Sequence, residues 1–213
     1  MDTAHIESMI AENCNAPDAR SDIGELLGGV ADRQGLQVSD EDLESGSRFV
    51  CRYIELVPYM MKVAWTAAST VGLAEPMQKI LRVVESYWLE GEDIIPDQLG
   101  IIGLLDDAYC SLTSMQLVSD HYQFQTGKYL FPDDLTGANK AMRKIIGEPY
   151  GSDLDRLVTS TMQSTGLIDA VKALASPEKK LDFSQKSTIW NHGPAGDIDL
   201  KELDRLGLLE DAP

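Results

Sequence analysis

Apolar residues recur three and four positions apart along most of this chain, and long period-two alternation of β-branched and aromatic residues is missing. No Asn-Gly or Asp-Gly dipeptide marks a hairpin turn. The pattern predicts helices. Ile6, Met9 and Ile10 begin a short amphipathic segment, and residues 22–30 suggest a second, ended by the Gly28-Gly29 pair. The clearest start is Ser39-Asp40-Glu41-Asp42, a cap residue followed by acids that suit the positive end of a helix. From there Leu43, Val50, Tyr53, Ile54 and Val57 hold helical spacing. Pro58 divides this helix from the next, over 59–70, and Gly72 is a natural stop. Pro76 suits the first turn of a helix to residue 89, with Ile80, Leu81, Val84 and Trp88 as its apolar stripe. Asp133 or Asp134 caps a helix over 135–146, Ser152 begins one through 162, and 168–174 forms a shorter one. Beyond Ser176 apolar residues thin out and turn formers multiply, so 176–213 reads as a loop-rich tail with a short helix around 199–206.

Residues 56–74 are the most apolar stretch, but Lys62, Pro58 and several Ser and Thr residues interrupt them. A bilayer needs roughly 20 apolar residues, so this segment reads as a buried core helix and membrane association is not expected. Composition changes the picture little, with 43% hydrophobic and 25% charged residues in a chain of 213. That length supplies a core without covalent staples.

Charge changes it more. Thirty-five acids against 18 bases give a net charge of −17. Such a surface repels phosphate backbones and anionic membranes, which excludes general nucleic-acid binding and favours basic partners or divalent cations. Residues 1–48 hold eleven acids and three bases, Arg20, Arg33 and Arg48, and read as a solvated acidic face or a surface for a basic partner. The three cysteines, Cys14, Cys51 and Cys110, have no metal or redox spacing. They read as packing residues in a reducing compartment. The N-terminal MDTAHIESMI has early acids and no basic stretch before an apolar run, consistent with a cytoplasmic protein.

One segment is chemically distinctive. Between two helical stretches lie Glu92-Asp93-Ile94-Ile95-Pro96-Asp97 and Gly100-Ile101-Ile102-Gly103-Leu104-Leu105-Asp106-Asp107. Pro96 forces Ile95 out of the α region, and Asp97 places a carboxylate where the next helix has unpartnered N–H groups. The expected result is an αα-hairpin, helix, acidic turn, returning helix. At about 100° per residue, Ile101, Leu104, Leu105, Ala108, Leu112, Met115 and Ser119 share one side. Asp106 and Asp107 project onto the other half. The run Tyr87…Asp93-Ile-Ile-Pro96-Asp97…Gly103-Leu-Leu-Asp106-Asp107 resembles the YkvA-like family, a small helical bacterial domain of unknown function. The resemblance is limited to about residues 76–121, and a serine-proline pair common in that family is replaced here by Gly91-Glu92. It implies a fold element and no reaction.

These readings converge on an all-α protein, a multi-helix domain around a central αα-hairpin. An acidic helical extension (1–38) precedes a helical core (39–175) that contains the hairpin, and the tail (176–213) follows. The expected function is a non-catalytic interaction or adaptor protein that binds a partner protein through an acidic surface. The alternative is a divalent-cation-dependent enzyme, such as a phosphoester hydrolase, with Asp93, Asp97, Asp106 and Asp107 as oxygen ligands for Mg²⁺, Mn²⁺ or Ca²⁺. The plainer role for these four is turn and cap residues. His121 lies about 21 Å along an ideal helix from Asp107, too far to share its coordination shell. An apolar hairpin face left exposed would favour a homodimer.

Overall fold

A computed structural model describes residues 2–89, 94–174 and 205–208. Most of the anticipated tail, including residues 199–204 of its short helix, and the acids Glu92 and Asp93 lie outside the described residues. Among the described residues there are nine α-helices, one 3-10 segment and no strand.

The first four helices are α1 (Ala4–Cys14), α2 (Ala19–Gln34), α3 (Asp40–Glu55) and α4 (Val57–Thr70). Helix α3 opens with a reciprocal cap: the Asp42 amide donates to Ser39 Oγ at 3.2 Å and the Ser39 amide donates to Asp42 Oδ2 at 3.0 Å. Leu56, itself helical, joins α3 to α4, and Pro58 sits in the first turn of α4 where its missing N–H has no intrahelical partner to lose. Helix α2 runs past Gly28-Gly29, the stop suggested by composition, to a left-handed Gly35 at φ 69°. Two mid-helix glycines cost roughly 1 kcal/mol each. Burial of Ile23, Leu27, Val30 and Ala31 on one stripe outweighs them.

Helix α5 (Ala74–Leu89) leads to the turn at Ile94–Pro96, a 3-10 segment (Asp97–Leu104) and α6 (Leu105–Thr126). The hairpin is thus present, but its second arm does not start at Pro96. Gly100, at φ 61° and ψ −128°, breaks the segment in a conformation that glycine readily adopts. Ile101 is thereby buried while Leu99 stays 52% exposed. Helix α7 (Thr136–Ile146) follows, its Thr136 amide donating to Asp134 Oδ1 at 3.0 Å. Helices α8 (Tyr150–Ser164) and α9 (Leu167–Ala173) complete the described body.

Helix α6 is the axis of the fold, contacted by α3, α4, α5, α7, α8 and α9. Both the apolar side and the half assigned to solvent are buried, including Asp106, Asp107, Ser111, Gln116 and Gln123. The helical projection placed Asp106 on a wet face; α6 instead packs on most sides and leaves a narrow exposed strip at Leu117 and Phe124. The anticipated apolar hairpin face is covered within the chain, with Leu104, Leu105, Leu112 and Met115 all buried. Ile6, Ile10, Ile23 and Leu27 of the first two helices join the same continuous core. Helix α4 buries Val57, Met60, Met61, Ala64 and Ala68, and among the described residues no helix is long and apolar enough to cross a membrane.

The described end of the tail is docked. Leu206 and Leu208 are buried, and Arg205 Nη1 lies 3.6 Å from Asp42 Oδ1 at the start of α3. Gly46 makes the seat: a Cβ there would stand 2.6 Å from Leu27 Cδ1 and 2.8 Å from Leu206 Cδ1.

Candidate functional site

The motif residues of the hairpin meet in one buried network. Tyr87 comes from the last turn of α5, Ile94 and Ile95 from the turn, and Asp106 from the first turn of α6. The Ile95 amide donates to Asp106 Oδ2 at 2.8 Å, the Tyr87 hydroxyl donates to the same oxygen at 3.3 Å, and the Asp107 amide donates to Oδ1 at 3.1 Å. The Ile94 amide donates to Tyr87 Oη at 3.4 Å. One turn further, Trp88 Nε1 donates to Ser111 Oγ at 3.0 Å, and Ser111 donates to the Asp107 carbonyl at 2.6 Å. Aromatic residues of α5 therefore tie the turn to the N-terminal end of α6. Such bonds fix the end of α5 against the first turns of α6.

Burial dominates the electrostatics. It pushes the Asp106 carboxyl above the usual aspartate range, against the bonds from the Ile95 and Asp107 amides and from Tyr87. Burial, together with the Asp106 charge, also raises the Tyr87 hydroxyl well above its ordinary value.

Of the four aspartates suggested as cation ligands, Asp106 and Asp107 are adjacent, 0% and 1% exposed, and enclosed in the helix packing. Asp93 and the Asp97 side chain lie outside the described residues, although the Asp97 backbone opens the 3-10 segment. Among the described residues no group of three or more His, Cys, Asp or Glu side chains is placed to hold a metal ion. His121 is half-buried, its Nε2 3.4 Å from the Ile168 carbonyl oxygen and remote from the turn.

A second feature was not anticipated. Helix α2 and the 3-10 segment pack together and leave a groove of about 510 Å³ between them. One wall is acidic, with Asp18, Asp22 and Glu25; the other is apolar, with Leu99 and Ile102, and Leu26 contributes from α2. The break at Gly100 produces this arrangement by turning Leu99 out while Ile101 enters the core. Asp18, Asp22 and Glu25 fall at i, i+4 and i+7, one stripe of α2. Like charges at that spacing repel by a few tenths of a kcal/mol per pair. Among the described residues none of these three carboxylates has an ion-pair partner. The acidic stripe could have been read from the sequence. Its apolar opposite wall, 70 residues and more away in the chain, could not.

A larger polar cluster lies across the molecule, where Asp155 accepts from the Tyr109 hydroxyl at 2.7 Å and from Arg143 Nε at 2.9 Å. Arg143 also donates to Glu148 at 2.6 Å and passes over Gly151, where a Cβ would collide with the guanidinium. This cluster joins α6, α7 and α8.

The chain matches no family model, no curated protein and no solved structure.

Proposed function

We propose that this chain is a non-catalytic helical interaction protein whose groove between α2 and the 3-10 segment takes a basic, amphipathic segment of a partner protein. The observation that carries the reading is the groove's composition: three uncompensated carboxylates facing an exposed leucine. Positive residues of a partner would meet Asp18, Asp22 and Glu25, and its apolar residues would cover Leu99 and Ile102. The net charge of −17 draws such a partner in from a distance. The hairpin network fits the same reading, because Asp106 and Tyr87 are engaged in holding the turn. The resemblance of residues 76–121 to the YkvA-like family is accordingly taken as one of architecture.

Fluorescence anisotropy with a labelled Lys/Leu amphipathic helical peptide tests this. Binding should weaken steeply as salt rises, since screening shortens from about 10 Å at 0.1 M to about 3 Å at 1 M. Exposed pairs contribute roughly 0.2–1 kcal/mol each, so reversing all three acids to lysine should cost roughly 30-fold in affinity. Leu99→Ser should cost about tenfold. Asp32→Lys, at the far end of α2, serves as the control. Equal loss in the control and in the groove variants would reduce the effect to net charge and sink the proposal.

A further inference from the structure

The last described residues sit on the body as a peptide sits on a receptor. Residues 175–204 lie between Leu174, at the end of α9, and Arg205. Residues 205–208 then fill a seat made by α2, α3 and the turn between them. Leu206 and Leu208 are 2% and 0% exposed. Leu206 enters beside Leu27 where α3 carries a glycine: a Cβ on Gly46 would stand 2.8 Å from Leu206 Cδ1. Glycine weakens a helix interior, and here it leaves room for an incoming side chain. Gly207 is restricted twice. Its φ is 66°, and a Cβ there would stand 2.7 Å from Gln34 Oε1 and 2.7 Å from Leu36 Cδ1. Arg205 reaches the acidic first turn of α3, with Nη1 3.6 Å from Asp42 Oδ1. The seat therefore takes a cation, a leucine, a glycine and a second leucine in succession. We propose that it is a docking site for a short segment of a partner protein with this arginine–leucine–glycine–leucine chemistry, which residues 205–208 occupy in cis until displaced.

An apolar anchor needs leucines alone. This seat adds a carboxylate for the arginine and admits no side chain at the glycine, and both features select one sequence over others. Its occupant arrives on a tether. The connecting residues 175–204 can span at most roughly 100 Å, so chain connectivity does not force 205–208 into place. It supplies them at about millimolar effective concentration. A partner that presents the same four residues meets the same contacts and competes only with that concentration. Asp40, Glu41 and Asp42 in the first turn of α3 favour the approach of its cationic end. The seat is separate from the groove beside the 3-10 segment, because Leu26 lines the groove and Leu27 the seat. The two sites therefore stand or fall independently.

The test mixes the full chain with a fluorescein-labelled peptide of residues 201–210 and follows anisotropy. On the wild type the peptide competes with the tethered copy. The Leu206→Ser/Leu208→Ser double variant, which vacates the seat, should bind the peptide about tenfold more tightly. A peptide carrying Gly207→Ala should bind either protein about tenfold more weakly, because alanine is strained at φ 66° and meets Gln34 and Leu36. A peptide carrying Arg205→Glu should lose about threefold at low salt and little in 1 M salt. Changes made in the peptide leave the fold of the protein untouched. If the double variant does not melt cooperatively, the comparison of glycine and alanine peptides on the wild type decides. No binding at millimolar peptide, equal affinity of wild type and double variant, or equal affinity of the two peptides would overturn the proposal. So would light scattering that shows a dimer of the wild type and a monomer of the double variant, since the occupant would then be a second copy.

Discussion

Replacing Asp106 by alanine removes the acceptor that joins the hairpin turn to α6. The Ile95 amide, 2.8 Å from Oδ2 and inside the protein, is left without that acceptor. A hydrogen bond to a charged group contributes about 1.5–3 kcal/mol, and the abandoned buried donor carries a desolvation penalty of similar size that is already part of that loss. The Tyr87 contact at 3.3 Å adds about 0.5 kcal/mol, and the void left by the carboxylate about 1 kcal/mol. Release from burying a carboxylate offsets part of this, which leaves a net loss of about 3 kcal/mol. For a chain of 213 residues that lowers the melting temperature by about 7 °C. Asp106→Asn keeps an oxygen for the Ile95 amide and should cost about 1 kcal/mol at neutral pH.

The comparison with asparagine also has a pH signature. Burial raises the folded-state carboxyl above its ordinary 3.8, so the folded protein binds more protons than the unfolded chain as pH rises past that value. The Asp106 contribution is therefore fullest below the ordinary aspartate value and is lost as pH climbs through the raised one. Urea denaturation followed by far-UV circular dichroism, at a series of pH values, measures the difference between wild type and Asp106→Asn. That difference, in favour of the wild type, should shrink as pH rises through the raised value. If it grew in favour of the wild type, hydrogen bonding would outweigh desolvation and the explanation of this carboxylate would be wrong. If alanine and asparagine were equally damaging, the bond from the Ile95 amide would not be what Asp106 chiefly supplies.

Two further perturbations test other parts of the fold. Gly46→Ala places a methyl group against Leu27 and Leu206 and should cost about 1–3 kcal/mol by calorimetry. Leu206→Ala should make room for it, so the double variant should lose less than the sum of the two singles. The Asp42 carboxyl is held below its usual range by the Ser39 hydroxyl and amide, so its cap supports folding above the ordinary aspartate value and is lost as pH falls through the depressed one. Asp42→Ala should flatten the acid side of the stability profile; an unchanged profile would show that the cap does not contribute.

Much of the helical framework was legible because its signals are local. Ser39 with Asp42, Pro58, Gly72, Pro76 and Asp134 act within one turn of themselves, and each stands at or near a helix boundary. The misreadings arose where tertiary packing overrode local chemistry. Gly28-Gly29 did not stop α2, because the core stripe continued past it. Asp106 looked exposed in a projection that allows a helix one buried side, but α6 is buried on most sides and its exposed strip runs through Leu117 and Phe124 instead. Nothing local in the run from Asp97 to Leu104 announced that Gly100 would break the 3-10 segment and leave Leu99 exposed. The groove joins residues from separate elements, so spacing along one element could not find it.

The enclosure of α6 also bears on how this chain acquires its structure. Elements that precede it and elements that follow it both close around it, so neither half of the sequence supplies a complete surround. A nascent chain that ended at Thr126 would hold a 22-residue helix with its α7, α8 and α9 sides bare. Folding should therefore proceed as one cooperative event late in synthesis, with long-range closure setting the rate more than helix formation. The backbone amides of α6 should then exchange with solvent only when the whole molecule opens.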